Sequence, residues 1–163
     1  MSNKNGFEIE RKFLIQYPDT ALLRKMDNCT VMEIEQSYLR NGGRIRKICQ
    51  DNKTYYIKTV KKHISHIKRE EKEWEISKAE YIEDLKEKAQ NTSTIKKTSY
   101  AIPKYGFVYE IDVFDFWKDK AFVEVELENE NQEFPIPEFV SVIKEVTEDK
   151  RYRNSSLAVN HNF

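Results

Sequence analysis

The chain has 163 residues, 34% of them charged, with 28 basic and 28 acidic side chains. This length favours a single domain over residues 1–163, and the balanced charge predicts neither a nucleic acid nor an anionic membrane as a partner. Two cysteines, no apolar N-terminal segment and no run long enough to span a membrane predict a cytoplasmic protein with free thiols.

The first predicted element is a β-strand over Phe7–Leu14, where apolar and charged residues alternate. Alternate side chains of a strand lie on opposite faces, so Glu8, Glu10 and Lys12 share one face. Neighbouring carboxylates on one face repel each other in a shielded cavity unless a cation lies between them. The strand is therefore a candidate surface for a metal ion and a phosphate, although most acidic strand faces are simply solvated.

Further strands are predicted from short alternating runs between turn residues. They cover about Glu33–Arg40, Arg44–Gln50, Thr54–Val60, Lys68–Ile76, Thr94–Ile102, Phe107–Asp115 and Ala121–Glu128. Helices are predicted over Pro18–Met26, which starts with a proline, over Ser77–Gln90, which starts with a capping box, and over Glu138–Val146. A short C-terminal segment follows at Asn154–Val159.

The polar faces of these strands separate acidic from basic residues. Acidic pairs recur at Glu8 and Glu10, Glu71 and Glu73, Glu110 and Asp112, and Glu124 and Glu126. Basic residues cluster on other strands, at Arg44, Arg46 and Lys58. Because ordinary surfaces intersperse the two signs, this separation favours an α+β fold, an eight-stranded antiparallel barrel with its charged faces inward and helices flanking its outer face. An ordinary barrel with the charged faces outward stays open as an alternative.

A lumen of this kind suits a chain of phosphates, bound by the basic side chains and joined to the carboxylates through divalent cations. Other motifs point elsewhere only weakly. His63 and His66 have a metal-like spacing, but no cysteine or acidic residue stands beside them, so we do not expect zinc. The chain has neither a P-loop nor a serine-hydrolase motif.

With these residues assembled, the chain resembles the CYTH domain, or triphosphate tunnel metalloenzyme, family over nearly its whole length. The matching segments are, in order, EIERKFL, QSYL, RIRK, YYIKT, REEKE, KKTSY, YEIDVF, FVEVEL and EVTEDKRYRN. The resemblance is to the short bacterial members that act on inorganic tripolyphosphate. It implies a tunnel of eight antiparallel strands and hydrolysis of triphosphate compounds to release orthophosphate, with Mg²⁺ or Mn²⁺ as the cofactor.

The resemblance also implies roles for individual residues. The implied metal ligands are Glu8, Glu10, Glu124 and Glu126, with Glu110 and Asp112 at a second cation or the attacking water. The implied phosphate ligands are Lys12, Arg44, Arg46, Lys58 and Arg69, with Lys150 and Arg151 at the closing end. The implied catalytic residues are Glu71, Glu73 and Lys97, with Tyr38 as a candidate proton acceptor. Ser99 stands where many relatives have an arginine, in KTSY instead of KTRY, which bears on substrate choice.

Two other functions stay open at this point. A cyclase that converts ATP to cyclic AMP would start from the same metal-bound triphosphate, and a pyrophosphate product would distinguish it from a phosphatase. A non-catalytic module that binds polyphosphate or a nucleotide is the other, although it would gain little from so many inward carboxylates. Exposed aromatic residues on the outer barrel face would favour a homodimer.

Overall fold

Antiparallel strands make up most of the computed structural model, which describes residues 4–65 and 67–163. The strands are β1 (Lys4–Gln16), β2 (Thr30–Tyr38), β3 (Arg44–Gln50), β4 (Lys53–His63), β5 (Lys68–Ile76), β6 (Ile95–Lys104), β7 (Phe107–Phe114), β8 (Lys120–Glu126) and β9 (Val142–Glu145). The helices are α1 (Thr20–Arg24), α2 (Lys78–Leu85) and α3 (Asn154–Leu157), with a 3₁₀ turn at Lys150–Tyr152. No helix in the two described ranges is both long and apolar enough to cross a membrane.

Strands β1 to β8 close into a barrel in which every neighbouring pair is antiparallel. The hydrogen-bonded order is β5-β4-β3-β2-β6-β7-β8-β1, and β1 pairs again with β5. Closure depends on the length of β1, because Lys4–Ile9 pairs with β5 while Glu10–Gln16 pairs with β8. The predicted eight-stranded antiparallel barrel is confirmed.

The segment Glu138–Val146, predicted as a helix, contains strand β9 instead. β9 pairs with Phe13, Leu14 and Ile15 of β1, on the side of β1 where β5 has already ended. Backbone groups on that side need hydrogen-bond partners, and the β-branched residues of the segment favour an extended chain. The helix prediction was wrong because the local pattern of a segment does not show a vacant edge elsewhere in the sheet.

The two longer helices cover the outer face of the barrel, as predicted, although both are shorter than the sequence suggested. α2 begins where the capping box places it, with the Glu80 amide donating to Ser77 Oγ at 3.1 Å. Its Tyr81 packs on an outer cluster formed by Leu39, Ile45 and Ile76. α1 adds the fully buried Leu23 to the main outer core. These contacts leave the polar faces of the strands to point inward.

The barrel interior has an apolar end and a polar middle. At the apolar end, Leu14 and Phe122 pack with Tyr152 and Leu157 from the C-terminal segment. The polar middle encloses a cavity of about 320 Å³ lined by the charged faces of the strands. The alternative barrel with its charged faces outward is therefore excluded.

Candidate active site

The cavity inside the barrel gathers most of the residues that the sequence singled out. The predicted residues that line it are Glu8, Glu10, Lys12, Tyr38, Arg44, Arg46, Arg69, Glu71, Glu73, Lys97, Glu110, Glu124 and Glu126. These side chains come from seven of the eight barrel strands, and Lys61 on β4 adds the eighth. Closure of the barrel is thus what brings distant acidic and basic segments into one site.

One corner of the cavity, where β1 meets β5, holds a compact group of ion pairs. Lys61 Nζ lies 3.0 Å from the Glu8 carboxylate, and Arg69 lies 3.8 Å from the same group. Arg69 also forms an ion pair with Glu10. Burial alone would raise the pKa of Glu8, but Lys61 and Arg69, with a hydrogen bond from Glu71, lower it to about 2. Glu8 is therefore an anion at any physiological pH.

The basic wall is formed mainly by β3. Arg46 pairs with Glu73, which also accepts a hydrogen bond from Thr59 Oγ1 at 3.2 Å. Arg44 differs, because its side chain makes no hydrogen bond or ion pair with any residue in the described ranges. The Nε atoms of Arg44, Arg46 and Arg69 are all buried without an acceptor. This wall therefore carries guanidinium donors that the rest of the described chain does not satisfy.

The opposite wall is acidic and belongs to β7 and β8. Glu110 and Glu124 are direct cross-strand partners, and Lys12 Nζ lies 3.4 Å from Glu124. Burial would raise the pKa of Glu124, but Lys12, Lys97 and Lys61 bring it below its usual value. Glu110 makes no ion pair or hydrogen bond within the part of the chain described, and burial with Asp112 and Glu124 nearby raises its pKa to about 7.

Asp112 was predicted as a metal ligand, but it does not line the cavity. It lies behind Lys97, whose Nζ is 2.7 Å from Asp112 Oδ2, and Ser99 Oγ donates to Asp112 Oδ1. All three residues are buried, and the Asp112 side chain is only 1% exposed. The role of Asp112 as a metal ligand stays a prediction.

The carboxylates of the cavity fit a divalent cation by their chemistry. Residues 4–65 and 67–163 contain no cluster of three or more acidic, histidine or cysteine ligands already gathered around one point. Most of the acidic side chains instead contact lysine or arginine. Glu110, across from Glu124, is the exception, and its pKa is raised to about 7 by burial first and then by the nearby charges of Asp112 and Glu124. Oxygen donors in this arrangement suit a hard cation such as Mg²⁺ or Mn²⁺.

Three of the predicted phosphate ligands lie outside the cavity. Lys58 points to the outer face, where its Nζ is 3.1 Å from Asp84 of α2. Lys150 and Arg151 are exposed, and Arg151 pairs with Asp149 at 2.7 Å. The structure thus places these three residues away from the cavity, and their role as phosphate ligands stays a prediction.

Two basic residues that the sequence reasoning missed take their place in the cavity wall. Lys61 lies three residues beyond Lys58, on the opposite face of β4, and Arg153 follows the 3₁₀ turn. The face of β4 was misassigned because Lys58 was expected on the inner face, whereas that face carries Ile57, which is buried inside the barrel. The signal that could have found Lys61 is its alternation with Thr59, which pairs with Arg44.

The remaining candidates occupy the rim and base of the cavity. Tyr38 lines it, is the cross-strand partner of Arg44, and accepts a hydrogen bond from Gln36 Nε2 at 3.1 Å. Its role as a proton acceptor stays a prediction. His63 lines the rim, where burial and the nearby Arg153 and Lys61 lower its pKa. His66 lies outside the described residues, so the histidine pair has no structural test.

Comparisons with known proteins agree with this geometry. Residues 6–153 match the model of the CYTH domain. Relatives named inorganic triphosphatase, from Acetivibrio thermocellus and Nitrosomonas europaea, are each 32% identical to this chain over 159 residues. The first alignment covers 95% of each chain, and the second covers 93% of this chain and 97% of the relative. A crystal structure of an inorganic triphosphatase is 27% identical, with a TM-score of 0.57 over 96% of this chain and 97% of that one.

Proposed function

Because this chain belongs to the CYTH domain family, we propose that it is a divalent-metal-dependent hydrolase that acts on inorganic tripolyphosphate and releases orthophosphate. The names of both relatives support the class of enzyme, a triphosphatase. Nucleoside and thiamine triphosphates are further candidate substrates, since they present the same chain of phosphates to the cavity.

The observation that carries the proposal is the unsatisfied basic wall. Buried N–H donors without acceptors are costly, and a guanidinium has five of them in a fixed fork. Arg44 lies in the cavity wall without a carboxylate partner, and Nε of Arg46 and of Arg69 also lacks an acceptor. Phosphate oxygens are acceptors that match this fork in charge and geometry. A polyphosphate chain in the cavity would therefore satisfy donors that the described protein leaves open.

The acidic wall explains why the proposed enzyme needs a divalent cation. A carboxylate wall would repel a polyanion unless a cation lay between them. Glu110 and Glu124, with Glu8, Glu10 and Glu126, are the residues proposed to hold it. When bound, such a cation neutralises charge on the phosphates and lowers the pKa of a water molecule. Mg²⁺ or Mn²⁺ is proposed because the donors are all oxygens.

The chain's own side chains would bind, orient and accept a proton. Arg44, Arg46 and Lys12 would bind the phosphate oxygens and hold the terminal phosphate in line with the attacking water. Lys12 is already oriented, because its Nζ donates to the Tyr152 carbonyl at 2.8 Å. Tyr38 would accept the proton of the water in its phenolate form, which the charge of Arg44, its cross-strand partner, would stabilise, and it would become a neutral phenol in that step.

A product assay with purified protein tests this proposal. Tripolyphosphate, ATP and thiamine triphosphate are each incubated with Mg²⁺, with Mn²⁺ or with a chelator, and orthophosphate and pyrophosphate are measured. We expect metal-dependent orthophosphate release, fastest from tripolyphosphate and abolished by Glu10→Ala. The matched control is Glu35→Ala, because Glu35 lies exposed on the outer face beside Lys96 and should leave turnover unchanged.

Each contrary outcome has its own meaning. Pyrophosphate and cyclic AMP from ATP would replace the hydrolase with a cyclase. Tight binding of tripolyphosphate without turnover in either metal would replace it with a binding module. Full activity in Glu10→Ala, with circular dichroism unchanged, would overturn the assignment of this carboxylate to the site.

A further inference from the structure

The two acidic residues of β7 have different surroundings, although they share the inward face. Glu110 lines the cavity and makes no ion pair within the described ranges. Asp112 does not line the cavity, and each of its two oxygens already accepts a hydrogen bond. Resting on the function proposed above, we infer that Asp112 and Ser99 are positioning residues that hold the Lys97 ammonium toward the substrate, and that Asp112 is not a metal ligand.

Burial makes Asp112 inaccessible to a cation in the cavity. Its side chain is 1% exposed, and Lys97 lies between it and the lumen. Its cross-strand neighbours are Ser99 on β6 and the fully buried Phe122 on β8. A buried carboxylate is stable only when it is paired and hydrogen-bonded, and Asp112 meets both conditions through the protein alone.

Lys97 needs such a partner in order to work as a phosphate ligand. Its side chain is 4% exposed and lies 5.8 Å from the Phe114 ring, so burial by itself favours the neutral amine. Asp112, helped by Glu110 and Glu124, outweighs burial and raises the pKa of Lys97. A lysine stem is also flexible and its three donors rotate, so a fixed carboxylate directs the ammonium.

Ser99 fixes the carboxylate in turn. It is fully buried, is the direct cross-strand partner of Asp112 and donates to Oδ1, which leaves Oδ2 for Lys97. A hydroxyl can hold the carboxylate without competing with Lys97 for its charge. Among the described residues, Lys97 is therefore the cation that forms an ion pair with Asp112.

The test measures turnover and metal requirement in one series of variants. Lys97→Met, Asp112→Asn and the double variant are compared with Glu110→Gln, and Lys96→Met is the control on the outer face of β6. Lys97→Met, Asp112→Asn and Glu110→Gln should each lower kcat by about 10- to 100-fold, and Lys96→Met should not. Because Asp112 acts through Lys97, the double variant should be no slower than Lys97→Met.

The metal requirement separates positioning from coordination. The Mn²⁺ concentration for half-maximal activity should stay within about twofold in Asp112→Asn and should rise at least about tenfold in Glu110→Gln. An equal rise in Asp112→Asn, or losses that multiply in the double variant, would overturn the inference. If Asp112→Asn does not fold, Ser99→Ala answers the same question, with Ser99→Thr expected to keep activity that Ser99→Ala loses.

A failure of the proposed function would look different. If the wild-type protein hydrolyses no triphosphate, calorimetric binding of Mn²⁺ to the same variants still decides the role of Asp112. Wild-type affinity in Asp112→Asn and weakened affinity in Glu110→Gln would uphold its exclusion from the metal ligands. Weakened affinity in Asp112→Asn would overturn it.

Discussion

Glu110 and Glu124 face each other across β7 and β8, yet of the two only Glu124 forms an ion pair within the described residues, with Lys12 Nζ at 3.4 Å. The pair therefore titrates unequally. The pKa of Glu110 is raised to about 7 by burial, Asp112 and Glu124, whereas that of Glu124 is lowered because Lys12, Lys97 and Lys61 outweigh burial. At neutral pH, Glu124 is therefore ionised, whereas Glu110 is partly protonated.

The first prediction concerns the pH dependence of stability in a chelator. The pKa of Glu110 is higher in the folded protein, about 7 against an ordinary value of 4.5. The contribution of this group to the free energy of unfolding is therefore fully present below pH 4.5 and is lost as the pH rises through 7. At pH 8, the free energy of unfolding of Glu110→Gln should therefore be about 1–3 kcal/mol higher than that of wild type. Urea unfolding at pH 5 and pH 8 measures this.

Glu124→Gln is the matched control for that experiment. The pKa of Glu124 is lowered in the folded protein, so its contribution is present above its unfolded pKa and is lost in acid. Its removal should destabilise the protein at pH 8, the opposite sign to Glu110→Gln. Destabilisation of the same size in both variants would show that the two carboxyl groups are equally paired.

The second prediction contrasts two lysines of β4 that lie three residues apart. Lys61 Nζ pairs with the partly buried Glu8 inside the barrel, whereas Lys58 pairs with Asp84 on the outer face. Among the described residues, Lys61→Met leaves Glu8 with the longer contact to Arg69 and the hydrogen bond from Glu71, so it should cost about 1–3 kcal/mol of stability and at least about tenfold in kcat/KM. Steady-state kinetics and urea unfolding measure both quantities.

Lys58→Met is the control for Lys61→Met. Its ion pair is partly exposed, so the loss should be at most about 1 kcal/mol, with kcat/KM unchanged. A larger kinetic defect in Lys58→Met than in Lys61→Met would mean that the assigned faces of β4 are reversed.

The third prediction separates ligand binding from stability at Arg44. Its side chain makes no hydrogen bond or ion pair across the described ranges, so Arg44→Met breaks none, and the unfolding free energy should change by less than about 1 kcal/mol. Tripolyphosphate should raise the wild-type melting temperature, since a ligand at one hundred times its Kd adds about 2.7 kcal/mol. In Arg44→Met we expect this thermal shift to be lost.

Arg40→Met is the matched control. Arg40 is an exposed arginine outside the cavity, and its guanidinium lies 4.0 Å from the exposed Glu87 carboxylate. It should keep the full thermal shift with tripolyphosphate. An undiminished shift in Arg44→Met would remove the basic wall as the basis for phosphate binding.

The sequence predicted the barrel because strand alternation is a local property. Glu8 and Glu10, like Glu124 and Glu126, lie two residues apart, and a period of two assigns both members to one face without knowledge of the fold. The same rule failed on β4, where Ile57 and Tyr55 belong to the inner face and Lys58 to the outer one. A barrel interior that is charged in one part and apolar in another breaks the assumption that polar side chains share a face.

Other parts of the site depend on contacts that no local pattern encodes. β9 forms because β1 has a vacant edge opposite Phe13–Ile15. Asp112 has the same spacing from Glu110 as a second ligand would have, and only the contact with Lys97 shows that it lies behind the cavity wall. Where a strand is as long as β1, its partners change along its length, and sequence alone does not say where.

The last prediction concerns the C-terminal segment, where the family resemblance implied Lys150 and Arg151 as phosphate ligands and the cavity is lined by Arg153. The 3₁₀ turn at Lys150–Tyr152 buries Tyr152 and brings Arg153 to the cavity, while Arg151 stays outside on Asp149. Arg153 makes no side-chain ion pair within residues 4–65 and 67–163, so its charge is available to the substrate. Arg153→Met should raise KM for tripolyphosphate by about tenfold with kcat nearly unchanged, because a rim cation binds substrate and transition state alike.

Salt provides an independent check on this last assignment. Charges at the partly exposed rim are screened over a Debye length of about 8 Å at physiological ionic strength. The difference in KM between wild type and Arg153→Met should therefore shrink as KCl is raised, whereas Arg151→Met should match wild type at every salt concentration. An equal increase in KM for Arg151→Met would contradict this assignment and would support Arg151 as a phosphate ligand, as the family resemblance implies.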